Sequence, residues 1–354
     1  MLKLANLLTC IGCMLLPTSV SAQNDAGDYS KRAQNELLEE NYDGAIADCD
    51  KAIQLDPNNA GPYKIRAEAK DGKGDYDGAI ADCNQAIQLD PKSASAYDGR
   101  ASAEFFKGDF DGAIADWDKA IELEPKNEAL YASRGLCKRR KGRYNEAIAD
   151  FGQAIQLAPM ESFLYFERGW ARVYQGQYEE AITDFDQAID IEVKQSGPVV
   201  GYADRGTAKQ LKGDFDGAIA DFSKAIQFEP ASVEPRIDLW VMRIHQGRTA
   251  AADQELSRFL DENHYPKPDD WSLKIASFLA NRIAEADFLA AVPASGILQN
   301  ARNCQFWYYA GLKHLSTGDR QKASEYLSKC LATPLFDVVE YDLAEAELKA
   351  VGSN

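Results

Sequence analysis

The side chains here that could do chemistry are three histidines, five cysteines beyond position 22, many carboxylates and one dense basic run. His245, His264 and His314 have no histidine four residues away and no cysteine at zinc-ligand spacing, so packing or surface roles are expected of them rather than a metal centre. A catalytic centre needs a nucleophile beside its base, a metal cluster or a phosphate-cradling loop. The glycines instead read as helix ends, and the carboxylates recur at equivalent places as an acidic, solvated face. No catalytic residue, no metal and no cofactor is expected, and the chain is read as a non-enzyme. Cys49 and Cys83 stand where other copies of the same phrase carry an aromatic ring, so they read as small buried hydrophobes. Cys137 is the candidate for an odd thiol.

Binding chemistry is better represented. Phe163, Phe166, Trp170, Val173 and Tyr174 fall at i, i+3, i+7, i+10 and i+11, one stripe of a helix whose separate packing stripe is Tyr165, Gly169 and Arg172. Phe105, Phe106 and Leu136 extend the apolar set. The run "KRRKGR" at 138–143 supplies Arg139 and Arg140 at its rim. Two readings stay open. The aromatics bury against neighbouring helices or a dimer partner, or they floor a peptide groove in which arginine meets a carboxylate and the rings act as anchors.

The elements that would position these residues announce themselves by repetition. "GDYDGAIADCNQAIQLDP" from Gly74 returns as "GDFDGAIADWDKAIELEP" from Gly108 and "GDFDGAIADFSKAIQFEP" from Gly213. Pro57, Pro91, Pro125 and Pro159 are 34 residues apart, as are Ala45, Ala79, Ala113, Ala147 and Ala181. Within each unit a 3.6-residue pattern appears twice, as in Tyr97, Arg100, Ala101, Glu104 and then Phe110, Ala113, Ile114, Trp117, Ala120, Ile121. Each unit is therefore two helices, broken at Gly-Asp, capped by the aspartate and closed by the proline. Small pairs such as Ala101 with Ala113, Gly135 with Ala147, Gly169 with Ala181 and Gly206 with Ala218 predict close antiparallel packing. Arg32, Arg66, Arg100, Arg134, Arg168 and Arg205 share one place, and Asp48, Asp82, Asp116, Asp150, Asp184 and Asp221 another. A charge present in every copy predicts an architectural ladder of exposed pairs, each worth little.

This pattern resembles the tetratricopeptide repeat. The resemblance implies an all-α fold, a right-handed helical solenoid with a C-terminal capping helix. Six copies span 26–232, the fifth carrying three extra residues around "QSGP"; a degenerate copy follows at 233–266, a helical spacer at 267–300, and a last copy with the capping helix at 304–350. In the last copy Gly311 faces Ala323. Stepping seven residues back on one helix and seven forward on the other lands on Cys304 and Cys330, which predicts a disulfide. From Leu239 onward the order "DLWVMRIHQG", "WSLKIASFLANRIAEADFL" and "FWYYAGLKHLSTGDRQKASEYLSKCLATPLFDVVEYDLAEAELKAVG" resembles the tail of the NlpI family of bacterial outer-membrane lipoproteins. That resemblance implies an envelope adaptor that forms a homodimer and brings proteases or cell-wall hydrolases together.

Composition sets the remaining bounds. The formal charge of −17 leaves nothing to neutralise a run of phosphates, which excludes a nucleic-acid partner. Lys3, an apolar stretch over 4–16 and "VSA" at 20–22 read as an export signal over 1–22, with the mature chain starting at Gln23 in the periplasm or outside the cell. Cys13 after Gly12 is a weaker lipoprotein signal, because Cys10 sits where an aliphatic residue is wanted. The functional expectation is an adaptor that binds protein or peptide segments in the cell envelope. The alternative is a structural or regulatory subunit of a polysaccharide or cell-wall assembly complex.

Overall fold

The computed structural model describes residues 18–195, 201–262, 270–293, 299–333 and 339–352. Among these residues every regular element is a helix, nineteen in all, and within each unit successive helices pack antiparallel. The chain divides into two compact units, 1–141 and 142–354, with the cut in the turn inside the fourth 34-residue copy. The first seventeen residues of the expected export signal lie outside the described residues, and α1 begins at Thr18. No helix among the described residues is long and apolar enough to cross a membrane.

The first unit holds α1 (Thr18–Leu38), α2 (Tyr42–Leu55), α3 (Ala60–Gly72), α4 (Tyr76–Leu89), α5 (Ala94–Lys107), α6 (Phe110–Leu123) and α7 (Glu128–Arg140). The repeated phrase explains where each second helix starts. Asp75 and Asp109 sit just before α4 and α6, and their carboxylates accept the backbone N–H of Gly78 and Gly112 at 3.0 and 3.1 Å, satisfying a donor that the first turn leaves unpaired. The turn before them needs a left-handed residue, which Gly74 supplies at φ +78° without a Cβ penalty. In the first copy the same place is Glu40, held at φ 58°. Proline closes each unit and also receives a bond: the hydroxyls of Tyr63 and Tyr131 donate to the carbonyls of Pro57 and Pro125 at 3.3 and 3.2 Å. The core between these helices is made of small groups, Ala67, Ala79, Cys83, Ala101, Ala103, Ala113 and Cys137 among them, with Trp117 the large exception.

The second unit holds α8 (Tyr144–Leu157), α9 (Ser162–Val173), α10 (Tyr178–Lys194), α11 (Gly201–Lys212), α12 (Phe215–Phe228), α13 (Glu234–His245), α14 (Thr249–Glu262), α15 (Trp271–Leu279), α16 (Glu285–Ala290), α17 (Gln299–Ser316), α18 (Arg320–Leu331) and α19 (Val339–Gly352). A Cβ on Gly169 or Gly206 would lie 2.8 Å from the ring of Phe185 or Phe222, so these glycines let the partner helix bring its aromatic ring in close. The spacer is itself a short helix pair, α15 and α16, turned by Asn281 at φ 61°. Beyond α12 the core enlarges to rings, with Trp240, Phe278, Phe288, Phe306 and Tyr308 almost fully buried. Gly311 packs against Leu327 and the Ala323 carbonyl, and the structure joins Cys304 to Cys330 with Cα atoms 4.4 Å apart, both thiol positions buried.

The repeated charges form a ladder, and it is more buried than the sequence suggested. Asp48, Asp82, Asp116, Asp184 and Asp221 are only 1–7% exposed, because each lies under the arginine of its own copy. Arg66 Nε donates to Asp82 at 2.8 Å and Arg205 Nε to Asp221 at 2.8 Å, each guanidinium gripping both carboxylate oxygens. The same arginines reach back to the preceding copy, Arg66 to Asp50, Arg100 to Asn84, Arg134 to Asp118 and Arg205 to Asp186. Burial alone would push the Asp221 carboxyl up, but Arg205 and Lys209 hold it below the usual range. These are desolvated, fork-shaped pairs, in which removing one partner strands a buried charge.

Candidate functional site

In every copy the first helix packs one side against its partner and leaves another side outward. In the first unit the outward sides of α1, α3 and α5 line one groove of about 630 Å³, with Gln34, Lys64, Glu68, Asp71, Asp98 and Ser102 on its walls and Cys83 at its floor. Lys64 is the cation of this wall and is held by the hydroxyls of Ser93 and Ser95 at 3.3 and 3.1 Å. Among the described residues the three carboxylates have no cation. Asp98 accepts the indole N–H of Trp117 at 2.8 Å, Asp71 accepts Ser102 at 3.5 Å, and Oδ1 of Asp71 is buried with no donor. Burial pushes the Glu68 carboxyl above its ordinary range, and the neighbouring charges of Asp71 and Asp98 push it further. Burial raises Asp71 and Asp98 as well, against the bonds from Ser102 and Trp117.

The ten residues expected to line a groove divide evenly between the two units. In the first, Phe105 packs inward on Phe110 and Trp117, while Phe106 is 58% exposed and stacks on Tyr76 with ring centres 5.6 Å apart. Leu136 is half-buried on α7, Arg139 half-buried and Arg140 exposed at its last turn. Lys138 is buried, Lys141 pairs with Asp111, and Arg143 in the second unit pairs with Glu146 of its own helix at 2.6 Å.

In the second unit the aromatic stripe of α9 splits by burial. Val173 is 2% exposed and belongs to the core with Ala181, Phe185 and Ala208, a correction to its expected place on an open face. Its position on the last turn carries it past the helix axis, onto the side that meets the next pair. Trp170 and Phe166 are half-buried against Phe185, Trp170 edge-on at 5.9 Å, and Trp170 donates to Asp204. Burial raises the Asp204 carboxyl to about 7 against that bond, with Glu192 and Glu167 adding to the rise. Tyr174 stacks on Tyr144 at 5.4 Å. Phe163, 47% exposed, is the one of the stripe's four rings that faces solvent.

The acidic trio escaped the sequence reading although its signal was present. Steps of 34 residues carry Asp98 onto Phe166, Glu68 onto Trp170 and Asp71 onto Val173. The stripe read for aromatics in the fifth copy thus holds carboxylates in the second and third.

The remaining reactive side chains are occupied by packing. His245 pairs with Glu347 at 2.7 Å and stacks on Phe215, and His314 pairs with Glu285 at 2.8 Å; His264 lies outside the described residues. Cys49 and Cys83 are buried, and burial pushes both thiols up to about 12. The Cys137 thiol is buried too and donates to the Phe110 carbonyl at 3.5 Å. Among the described residues no cluster of histidine, cysteine and carboxylate could hold a metal ion.

Comparison with known proteins places this architecture. Residues 65–93, 99–161 and 162–192 match models of the tetratricopeptide repeat. No curated protein matches the chain in sequence. Among solved structures, a tetratricopeptide repeat protein from Parabacteroides merdae ATCC 43184 is 14% identical with a TM-score of 0.56, covering 83% of this chain and 98% of its own. The pilF protein of Pseudomonas aeruginosa is 16% identical with a TM-score of 0.52, covering 61% of this chain and 96% of its own. A MamA protein is 26% identical with a TM-score of 0.45, covering 49% of this chain and 94% of its own. At these identities the first two show a shared fold. With the 34-residue period, the capped helix pairs and the matched models together, the chain carries tetratricopeptide repeats over residues 65–192, units that generally bind proteins or peptides.

Proposed function

We propose that this protein is a non-enzymatic adaptor whose outward first-helix faces take segments of partner proteins. One observation carries the reading: scaffold positions repeat from copy to copy, while the residues lining the groove of α1, α3 and α5 do not. The rings of α9 offer a second, apolar contact through Phe163. The partners belong to the cell envelope, a reading supported by the export signal at 1–22 and by the NlpI-like order of features after Leu239. Replacing Ser102 or Phe163 by a photo-crosslinking benzoylphenylalanine in living cells should give discrete adducts. The same group at Lys119, exposed on the second helix α6, should give none. Equal adducts from all three positions would refute the assignment of the faces. Mass spectrometry of the exported chain should find Gln23 at its start; an acylated Cys13 there would instead make it an anchored lipoprotein.

A further inference from the structure

The groove of the first unit has walls whose charges are not balanced. The buried acids of the ladder are matched: Asp48, Asp82 and Asp116 each lie under an arginine, and Asp82 takes Lys70 as well. The exposed Glu68 and the half-buried Asp71 and Asp98 have no such partner among the described residues, although the fold brings them close enough for Asp71 and Asp98 to disfavour ionisation of Glu68. The nearest cation on the wall, Lys64, is turned to Ser93 and Ser95 instead. Two further features show room and need for an occupant. The groove is about 630 Å³, more than an extended lysine or arginine side chain fills, and Oδ1 of Asp71 is buried with no donor from the protein. Ile65 and the methylene stem of Lys64 add an apolar strip along the wall, suited to the aliphatic stem of a long basic side chain.

Resting on the adaptor reading above, we infer that the groove between α1, α3 and α5 docks a partner segment through a lysine or arginine side chain, with Glu68 and Asp71 as its counter-ions. Asp98 sets the far wall, its orientation fixed by the Trp117 indole. Ser95 and Ser102 offer hydroxyls to the segment's backbone. A cation entering this site relieves repulsion already present among the carboxylates, so the gain exceeds that of one exposed pair. An acidic segment is excluded by the same charges.

The test is panning of a random dodecapeptide library, displayed on phage, against the immobilised full chain, its Glu68→Gln/Asp71→Asn variant, and a control carrying Glu39→Gln and Glu122→Gln. Variant and control lose the same charge, so general attraction of basic peptides to an acidic protein cancels between them. Peptides recovered on the native chain and on the control should be at least twofold richer in lysine and arginine than the input, and this enrichment should vanish on the groove variant. A recovered peptide, synthesised and labelled, should bind the groove variant about tenfold more weakly than the native chain and lose affinity as salt rises. Melting curves of the variant check that the fold persists, and the salt dependence is read on the native chain alone. Peptides recovered without basic enrichment, or with equal enrichment on the groove variant, would overturn the counter-ion role and leave the adaptor reading standing. Recovery of no peptide on any of the three would overturn both.

Discussion

The outward face of the first helices is open in one region of this molecule and closed in another. In the first unit α1, α3 and α5 leave a groove, whereas in the second unit the equivalent side of α11, α13 and α17 is covered by the chain's own last helix. Glu340 of α19 accepts Gln305 Nε2 at 3.0 Å, Glu347 meets His245 of α13, and Leu343 and Ala344 are buried in the core with Tyr308 and Tyr309. The acids tell the same story. Asp238 stands one 34-residue step from Asp204 on the covered side, and burial raises it to about 8, with Glu340, Glu234 and Asp204 adding to the rise. The lesson is that a repeat supplies a face and the neighbouring chain decides whether it is free to bind. The expected capping helix therefore does more than end the array, since it fills the site that the earlier copies leave vacant.

Four substitutions and one thiol count sharpen that contrast. Leu343→Asp puts a charge where an 8% exposed side chain packs on rings, and should cost about 4 kcal/mol while making α19 the first site of limited proteolysis. An unchanged denaturation midpoint would show that α19 is only laid on the surface. Next in size is the C-terminal hairpin: the link between Cys304 and Cys330, 26 residues apart, should contribute about 3 kcal/mol in the chain-entropy model. The unreduced, denatured chain should show two fewer thiols than the reduced one, with a Cys304–Cys330 peptide in its digest; equal counts would remove the bridge.

Smaller effects separate scaffold acids from groove acids. Arg100→Ala strands Asp116 under the helix pair and should cost about 2 kcal/mol, whereas Glu68→Gln should stay within about 0.5 kcal/mol of the native chain in urea denaturation. A similar loss for both would mean that Glu68 is part of the scaffold. Last, Glu40→Gly relieves the left-handed backbone that other copies give to glycine and should add about 1 kcal/mol. No gain in melting temperature would place the strain elsewhere.

Most of the architecture was legible because one phrase is written so many times. A period of 34, Asp or Asn before α2, α4, α6, α12 and α18 and glycine at most of the turns each name a local backbone event, and local events follow from local residues. The candidate site was legible only as a stripe. The spacing in the fifth copy drew attention to Trp170 and Val173, yet spacing alone does not say which side of a helix the next pair will bury. The reading followed aromatic rings and passed over Glu68, Asp71 and Asp98, which hold the same stripe in earlier copies. The arginine–aspartate ladder was seen as a pattern and misjudged in depth, because burial depends on the neighbouring copy that Arg66, Arg100, Arg134 and Arg205 also grip.

What the sequence determined alone is the unit: two helices, their caps, their turn and the small residues that let them approach, all set by interactions within a few residues or between partners in one copy. What only the tertiary structure decided is which faces stay open. Val173 became core, Lys141 and Arg143 of the basic run went to separate acids, α19 covered α11, α13 and α17, and three acids from α3 and α5 met with no cation among the described residues. Each of these depends on helices brought together across many residues, where packing and desolvation choose among faces that the periodicity leaves equivalent.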